Sequence, residues 1–405
     1  MTLILNCIGC GSVDLSPLGS LGKVPSCNHF EQTYEKAVNL PKHELNLIKC
    51  QSCELVQLGT HLPYFEMFGD DYPYFSSLSS GWLEHCRTAA DHYKEILNVS
   101  EVSRVLEIGS NDGYMLQNFL YCRNIIGVEP SSSAASVAIA KGIDTIVSYF
   151  DDGLASQIVE DYGSFDLILS NNMMAHTPNL QAVLRGVKLA LADKGTFVTE
   201  VQYATEMFGA GKYDTVYHEH FCYFTLRSAC EVFRRNGLNI YDVEMIETHG
   251  GSIRVYADHG QKFITTRLEL LLENEDKIIS GVTLFDNFFE QANTSREEVL
   301  KFLNKNGPIV AYGAPTKGNV FMNFCGLTND HIEFTCDLSP LKQGRFCPGS
   351  GVKILPFNAE LYSGKSNVIL LPWNIKNEIV QQFNSYGILT PSFFTAVPSL
   401  MKVIS

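Results

Sequence analysis

No run of residues in this 405-residue chain is apolar for long enough to cross a membrane, and Met1 to Cys10 carries neither the basic cluster nor the apolar run of a secretory leader. A cytoplasmic protein with no membrane partner is expected. Basic residues are also in deficit: 30 Lys and Arg face 44 Asp and Glu, a formal net charge of −14, and no basic patch stands out along the chain. Such a surface repels a polyanion, which counts against nucleic acid as a partner. Charged residues make up only 18% of the chain against 45% hydrophobic ones, so the composition is that of a globular protein. The chain is too long for one ordinary core, no short repeat or low-complexity tract appears, and two or three domains follow. Nothing here sets an oligomeric state.

Cysteine is what the chain has in quantity, with twelve. In a reducing compartment these read as thiols, some holding metal, rather than disulfides. Cys7 and Cys10, then Cys50 and Cys53, form two C-x-x-C knuckles that can place four sulfurs on one zinc ion. A site of four thiolates is closed and therefore structural. The loop between Cys10 and Cys50 is long, and Cys27 or His29 is an alternative ligand within it. Residues 1–65 read as a small metal-stapled module with few periodic apolar segments, followed by a helix carrying Trp82, Leu83, Cys86, Ala89, Ala90 and Tyr93 at helical spacing.

From Ser103 the pattern becomes short apolar runs (RVLEIG, NIIGVEP, FDLILSNN, GTFVTEV) separated by helical stretches, the signature of a parallel sheet wound on both faces. LNIYDVEMIET and SIRVYAD flank His249-Gly250-Gly251 as a hairpin. A parallel sheet closed by a hairpin predicts the methyltransferase variant of the doubly wound fold over residues 66–285, with a helical lead-in over 66–100. A connecting helix is expected over 285–306, then a second α/β domain to the end, giving a boundary at 286.

Glu107, Gly109 and Gly113 mark a strand, glycine turn and helix start, and Glu129 lies 22 residues after Glu107 at the end of the next strand. Glycines admit close backbone approach, a helix start offers free N–H groups, and an acid at that strand end can accept from both hydroxyls of a ribose. The loop is not G-x-G-x-x-G, so S-adenosylmethionine is preferred over a dinucleotide. His176 follows the fourth strand of the block, where it either lines the cofactor site or is simply packed. Tyr217-His218-Glu219-His220 assembles two imidazoles, a carboxyl and a phenol, the parts for acid–base work; the H-E-H spacing fits a metal poorly, and an aromatic loop packed on the sheet is the bland alternative. Tyr312 to Asn319, with Gly313, Gly318 and Lys317, is either a phosphate-holding turn or a structural one.

Taken together, the paired cysteines, DYPYFSSLSSGWLEH, EIGSNDGYMLQNF, NNMMAHTPNL, DTVYHEHFCYFTL, ETHGGSIRVY, YGAPTKGNVFMNFCGL and CDLSPLKQGRFCPGS make the sequence resemble, nearly end to end, the C-methyltransferases of branched-chain deoxysugar biosynthesis. The resemblance implies a class I S-adenosylmethionine-dependent methyltransferase, a Rossmann-like α/β domain with an N-terminal zinc-binding module and a C-terminal Rossmann-like domain. It implies that Glu107, Gly109, Asn111, Gly113 and Glu129 hold S-adenosylmethionine, with Phe150, Asn172 and His176 nearby. By the same resemblance His220 is the base, with Tyr217, Glu219 and either Tyr72 or Tyr74 around the sugar, and Lys317, Asn319, Asn323 and Arg345 bind a nucleotide-linked keto-sugar. The ring carbon and the nucleotide stay open, as do methylation of a sugar oxygen and a non-catalytic zinc-ribbon binding protein.

Overall fold

The computed structural model describes residues 2–63, 75–281, 284–389 and 391–403. Its centre is a seven-stranded sheet in the order Asn239–Ile246, Ser252–Asp258, Leu191–Gln202, Phe165–Asn171, Arg104–Ile108, Asn124–Val128, Asp144–Ile146. The five strands between 104 and 202 run parallel, whereas Ser252–Asp258 pairs antiparallel with Leu191–Gln202 and with Asn239–Ile246. The expected parallel sheet with a terminal hairpin is therefore present. Its strands are short apolar runs because helices cover both faces and leave no solvated side. Ser131 and Asp151 cap the helices Ser132–Ala140 and Asp152–Tyr162, accepting from Ala134 N and Leu154 N. Chain order reverses between Arg104–Ile108 and Phe165–Asn171, and a crevice opens beyond the carboxyl ends of those strands.

The first sixty residues hold more regular structure than their cysteines and glycines suggest. Leu15–Val24, His43–Cys50 and Val56–Leu58 form an antiparallel sheet whose fourth strand, Cys222–Tyr223, comes from the central region. Leu45 and Leu47 alternate inward along His43–Cys50, a period-2 signal that polar neighbours disguise. These strands share a core with the C-terminal region, because Leu21, Val24, Leu45, Leu47, Val56 and Leu58 cluster with Phe288, Ile309, Val320 and Phe321. Cys7, Cys50, Cys53 and Leu55 instead join the core beneath the central sheet. The module is thus keyed into both of its neighbours.

Helices Thr266–Gly281 and Leu284–Asn306 lead to a second sheet, in the order Ile354–Pro356, Ile332–Asp337, Ile309–Tyr312, Asn367–Leu370, Ser392–Thr395, Met401–Lys402. Its first five strands are parallel and the last is antiparallel. Helix Thr316–Cys325 follows Ile309–Tyr312 directly, which brings Thr316 and Lys317 to a strand–helix turn. No helix among the described residues is long and apolar enough to cross a membrane.

Candidate active site

A cavity of about 410 Å³ lies where the three regions meet. Gly109, Asn111, Glu129, Phe150, Asn172 and His176 line one end of it, Tyr217, Glu219 and His220 its middle, and Thr316, Lys317 and Lys342 the far end.

At the first end the Arg104–Ile108 strand stops at Gly109, whose φ of 72° is the left-handed region glycine favours. A Cβ there would sit 2.7 Å from Met173 Cγ. Glu129 closes the adjacent strand, its carboxylate accepting from Asn111 N at 2.9 Å and Ser131 N at 2.8 Å. Each oxygen takes one backbone N–H and keeps a further lone pair, the acceptor set that a vicinal diol needs. Burial raises this carboxyl, the two N–H groups opposing it. The buried amide of Asn171, also in the cavity wall, has no hydrogen-bond partner among the described residues, as befits a site for a polar ligand. These residues fit S-adenosylmethionine. Glu107 and Gly113 lie behind the wall: Glu107 is fully buried and held well above the usual carboxyl range by that burial, and a Cβ on Gly113 would meet Ile143 Cδ1 at 2.5 Å. Gly113 serves close packing beneath the loop.

The middle is built by a single-turn helix, Tyr213–Thr215, followed by a turn in which His220 N donates to Tyr217 O at 2.9 Å. That turn brings the two rings together, with centroids 3.9 Å apart and planes tilted by 32°, and sets Tyr217 Oη 2.6 Å from His220 Nε2. Nδ1 of His220 lies 2.9 Å from the Thr215 carbonyl. A carbonyl only accepts, so Nδ1 carries the hydrogen, Nε2 presents its lone pair, and Tyr217 donates to it. His176 packs edge-on against His220 at 4.7 Å, its pKa lowered to about 4 by burial. Glu219 is 3% exposed, and burial pushes its carboxyl up to about 7. Both of its oxygens accept from Asn28 Nδ2, at 2.9 and 2.8 Å. His218 turns the other way: it is buried beside His43 of the N-terminal sheet, with ring centroids 6.0 Å apart and a pKa lowered to about 4 by burial, and it does not line the cavity. Tyr72 and Tyr74 lie outside the described residues.

At the far end Lys317 is held beneath the Trp373 ring, its Nζ 5.0 Å from the centroid. Burial lowers its pKa and the Asp214 charge raises it. Asp214 accepts from Trp373 Nε1 at 2.6 Å, and its carboxyl is pushed up to about 6 by burial, Lys317 opposing. Asn319, Asn323 and Arg345 are not in the cavity wall. Their side chains donate to backbone carbonyls instead: Asn319 to Cys27 O at 2.8 Å, Asn323 to Asn319 O and Pro348 O, and Arg345 to Phe30 O at 3.3 Å. Sequence reasoning missed Asn28 and Lys342, which also line the cavity: Asn28 sits between Cys27 and His29 with no motif of its own, and Lys342 lies within the CDLSPLKQGRFCPGS stretch, of which only Arg345 was singled out.

Apart from the cavity, Cys7, Cys10, Cys50 and Cys53 bring their sulfurs within 4.8 Å of one another, with Cys7–Cys53 at 3.5 Å and Cys10–Cys50 at 3.6 Å. Those spacings exceed a disulfide and suit tetrahedral thiolates about 2.3 Å from zinc. Cys27 points its sulfur at Pro25 O and His29 pairs with Glu31, so neither joins the cluster. The cluster rests on helix Leu226–Arg235, where Asn236 Nδ2 donates to Gly9 O at 3.1 Å and Arg235 to Ser52 O at 3.0 Å.

Two protein-family models match the chain: a methyltransferase domain over residues 82–243 and a C-methyltransferase C-terminal domain over residues 247–398. The curated C-methyltransferase NovU of Streptomyces niveus is 31% identical over 411 residues, covering 98% of this chain and 96% of that one. Among solved structures, magnesium protoporphyrin IX methyltransferase of Synechocystis with bound SAM is 13% identical over 48% of this chain and 88% of that one, with a TM-score of 0.34. An S-adenosylmethionine-dependent methyltransferase of Clostridium acetobutylicum is 12% identical over 44% and 92%, with a TM-score of 0.35. With the end-to-end match to NovU and both family models placed along it, the chain belongs to the C-methyltransferase family of S-adenosylmethionine-dependent enzymes.

Proposed function

We propose that this enzyme methylates a carbon of a nucleotide-linked keto-deoxysugar, carbon 3 of a nucleoside-diphosphate 4-keto-6-deoxy sugar, through an enolate. The observation that carries the reading is the Tyr217–His220 pair, an oriented base and a phenol in one cavity with Glu129 and Lys317. Oxygen acceptors need no adjacent ketone. A carbon acceptor beside a ketone is nucleophilic only after loss of a proton, which calls for a base and a donor to the oxyanion. His220 Nε2 takes the proton, and the Tyr217 hydroxyl turns from Nε2 to the enolate oxygen. Glu219, in the same cavity wall, holds the acceptor. Glu129, Gly109 and Asn111 would hold the nucleoside of S-adenosylmethionine, which supplies the electrophilic sulfonium methyl when bound. Lys317 and Lys342 would meet the diphosphate. The four-cysteine site is too closed to take part and is read as structural zinc.

The test is methyl-labelled cofactor incubated with a panel of keto and reduced sugar nucleotides. Label should move onto a carbon of the keto sugars alone, and Lys317→Ala should raise the acceptor KM without altering cofactor affinity. Label found on a sugar oxygen, or on reduced and keto sugars alike, would overturn the reading.

A further inference from the structure

We propose that Asn28, from the cysteine-bearing module, is a positioning residue of the active site: its amide clamps both oxygens of Glu219 and, through Thr316, ties that carboxyl to the helix start carrying Lys317. The proposal rests on the cavity being the methyl-transfer site and is independent of which acceptor fills it.

Asn28 lies far from both partners in sequence, yet its side chain touches each. Nδ2 donates to Glu219 Oε1 and Oε2 at 2.9 and 2.8 Å, while Oδ1 accepts from Thr316 Oγ1 at 2.7 Å. The orientation of the amide follows from these partners, because its oxygen turned toward the carboxylate would set two acceptors face to face. The turn bearing Asn28 is itself fixed on both sides: Asn319 Nδ2 holds Cys27 O, and Phe346 N and Glu31 O meet at 2.8 Å. The C-terminal domain thus presents a module residue to a carboxyl of the central domain.

A neutral clamp suits a carboxyl that has to stay close to its neutral form. A guanidinium there would hold Glu219 fully ionised. An amide favours the ion only through its dipole, so burial keeps the group near 7. The Asn28 amide is the first of two groups that oppose this burial. Lys342 is the cation that lowers it. Cys27 is pushed far up by burial and His176 is held to about 4, so both are uncharged around neutrality. Tyr217, His220 and Lys317 share the cavity wall.

The full-length zinc-loaded protein, labelled with carboxyl-¹³C glutamate, gives the direct test. The Glu219 resonance is assigned by its loss in Glu219→Gln and followed against pH. In Asn28→Ala it should titrate about one pH unit higher than in wild type, since a hydrogen bond to the ion is gone. Asn28→Asp keeps the shape and sets a second carboxylate against Glu219, so the shift should be larger in the same direction. With any acceptor the enzyme turns over, the basic limb of kcat should move upward by the same amount while the S-adenosylmethionine KM stays put. Titration of Glu219 unmoved in both variants overturns the proposal, as does a moved titration with an unmoved kcat profile. Should no sugar nucleotide be methylated, the acceptor reading fails while the carboxyl shift still decides Asn28.

Discussion

Tyr217 and His220 stand one helical turn apart in sequence and 2.6 Å apart at Oη and Nε2, with the Thr215 carbonyl fixing the far nitrogen of the imidazole. Proton removal should therefore be separable from methyl transfer. With S-adenosylhomocysteine bound in heavy water, wild type should exchange the proton alpha to the acceptor's keto group. His220→Asn should lose exchange and turnover by about 10²–10⁴-fold while still binding both ligands. His218→Asn, altered at a side chain facing the N-terminal sheet, should keep more activity. Exchange at the wild-type rate in His220→Asn would transfer the role of base to another group.

Zinc content is the next expectation. Four sulfurs within 4.8 Å predict one zinc per chain in protein prepared without chelator. Cys10→Ser or Cys53→Ser should cut soluble yield and Tm, because Cys7, Cys50 and Cys53 belong to the core beneath the central sheet and the loss spreads to helix Leu226–Arg235. Metal analysis returning no zinc would remove this support.

Cofactor binding turns on Glu129. Glu129→Ala deletes charged hydrogen bonds of about 1.5–3 kcal/mol. Titration calorimetry should show S-adenosylmethionine affinity falling by roughly ten- to a hundredfold. Unchanged affinity in a variant that still melts cooperatively would place the nucleoside elsewhere.

Glu219 also makes stability depend on pH. Its folded carboxyl sits near 7 against an ordinary 4.5, so the folded state binds the extra proton between those values. The contribution is full below about 4.5 and is lost as pH rises through 7. Glu219→Gln should match wild type at pH 4.5 and exceed it at pH 8 by up to about 3 kcal/mol. Chemical denaturation at the two pH values measures the difference, and a gap that is the same at both would contradict the assignment.

The central sheet was legible because its strands are largely buried on both faces and carry short apolar runs, as in Val105-Leu106 and Leu167-Ile168-Leu169. Glu129 and Gly109 were legible for a related reason, since strand ends and glycine turns are local. The N-terminal sheet was not. His43–Cys50 alternates Leu45 and Leu47 with polar residues, and the strand that pairs with Val56–Leu58 at the sheet's edge, Cys222–Tyr223, is two residues long and distant in sequence. Asn28 left no trace either, for an asparagine in a Cys-Asn-His turn gives no hint of a carboxylate approaching from residue 219. Asn319, Asn323 and Arg345 carry the chemistry of ligand binding but spend it on carbonyls of their own chain, a choice that only the packing decides.

The borrowed strand has a consequence for the order in which the nascent chain acquires structure. Val56–Leu58 leaves the ribosome early with its outer edge open, and that edge is closed only when Cys222–Tyr223 has been translated. At ordinary elongation speeds the wait is on the order of ten to thirty seconds, during which an exposed strand invites wrong pairing. The segment that finally seals it begins immediately after His220 and Phe221. The edge is thus closed by the stretch that directly follows the imidazole-bearing turn, and a polypeptide halted before it would not have a finished early sheet.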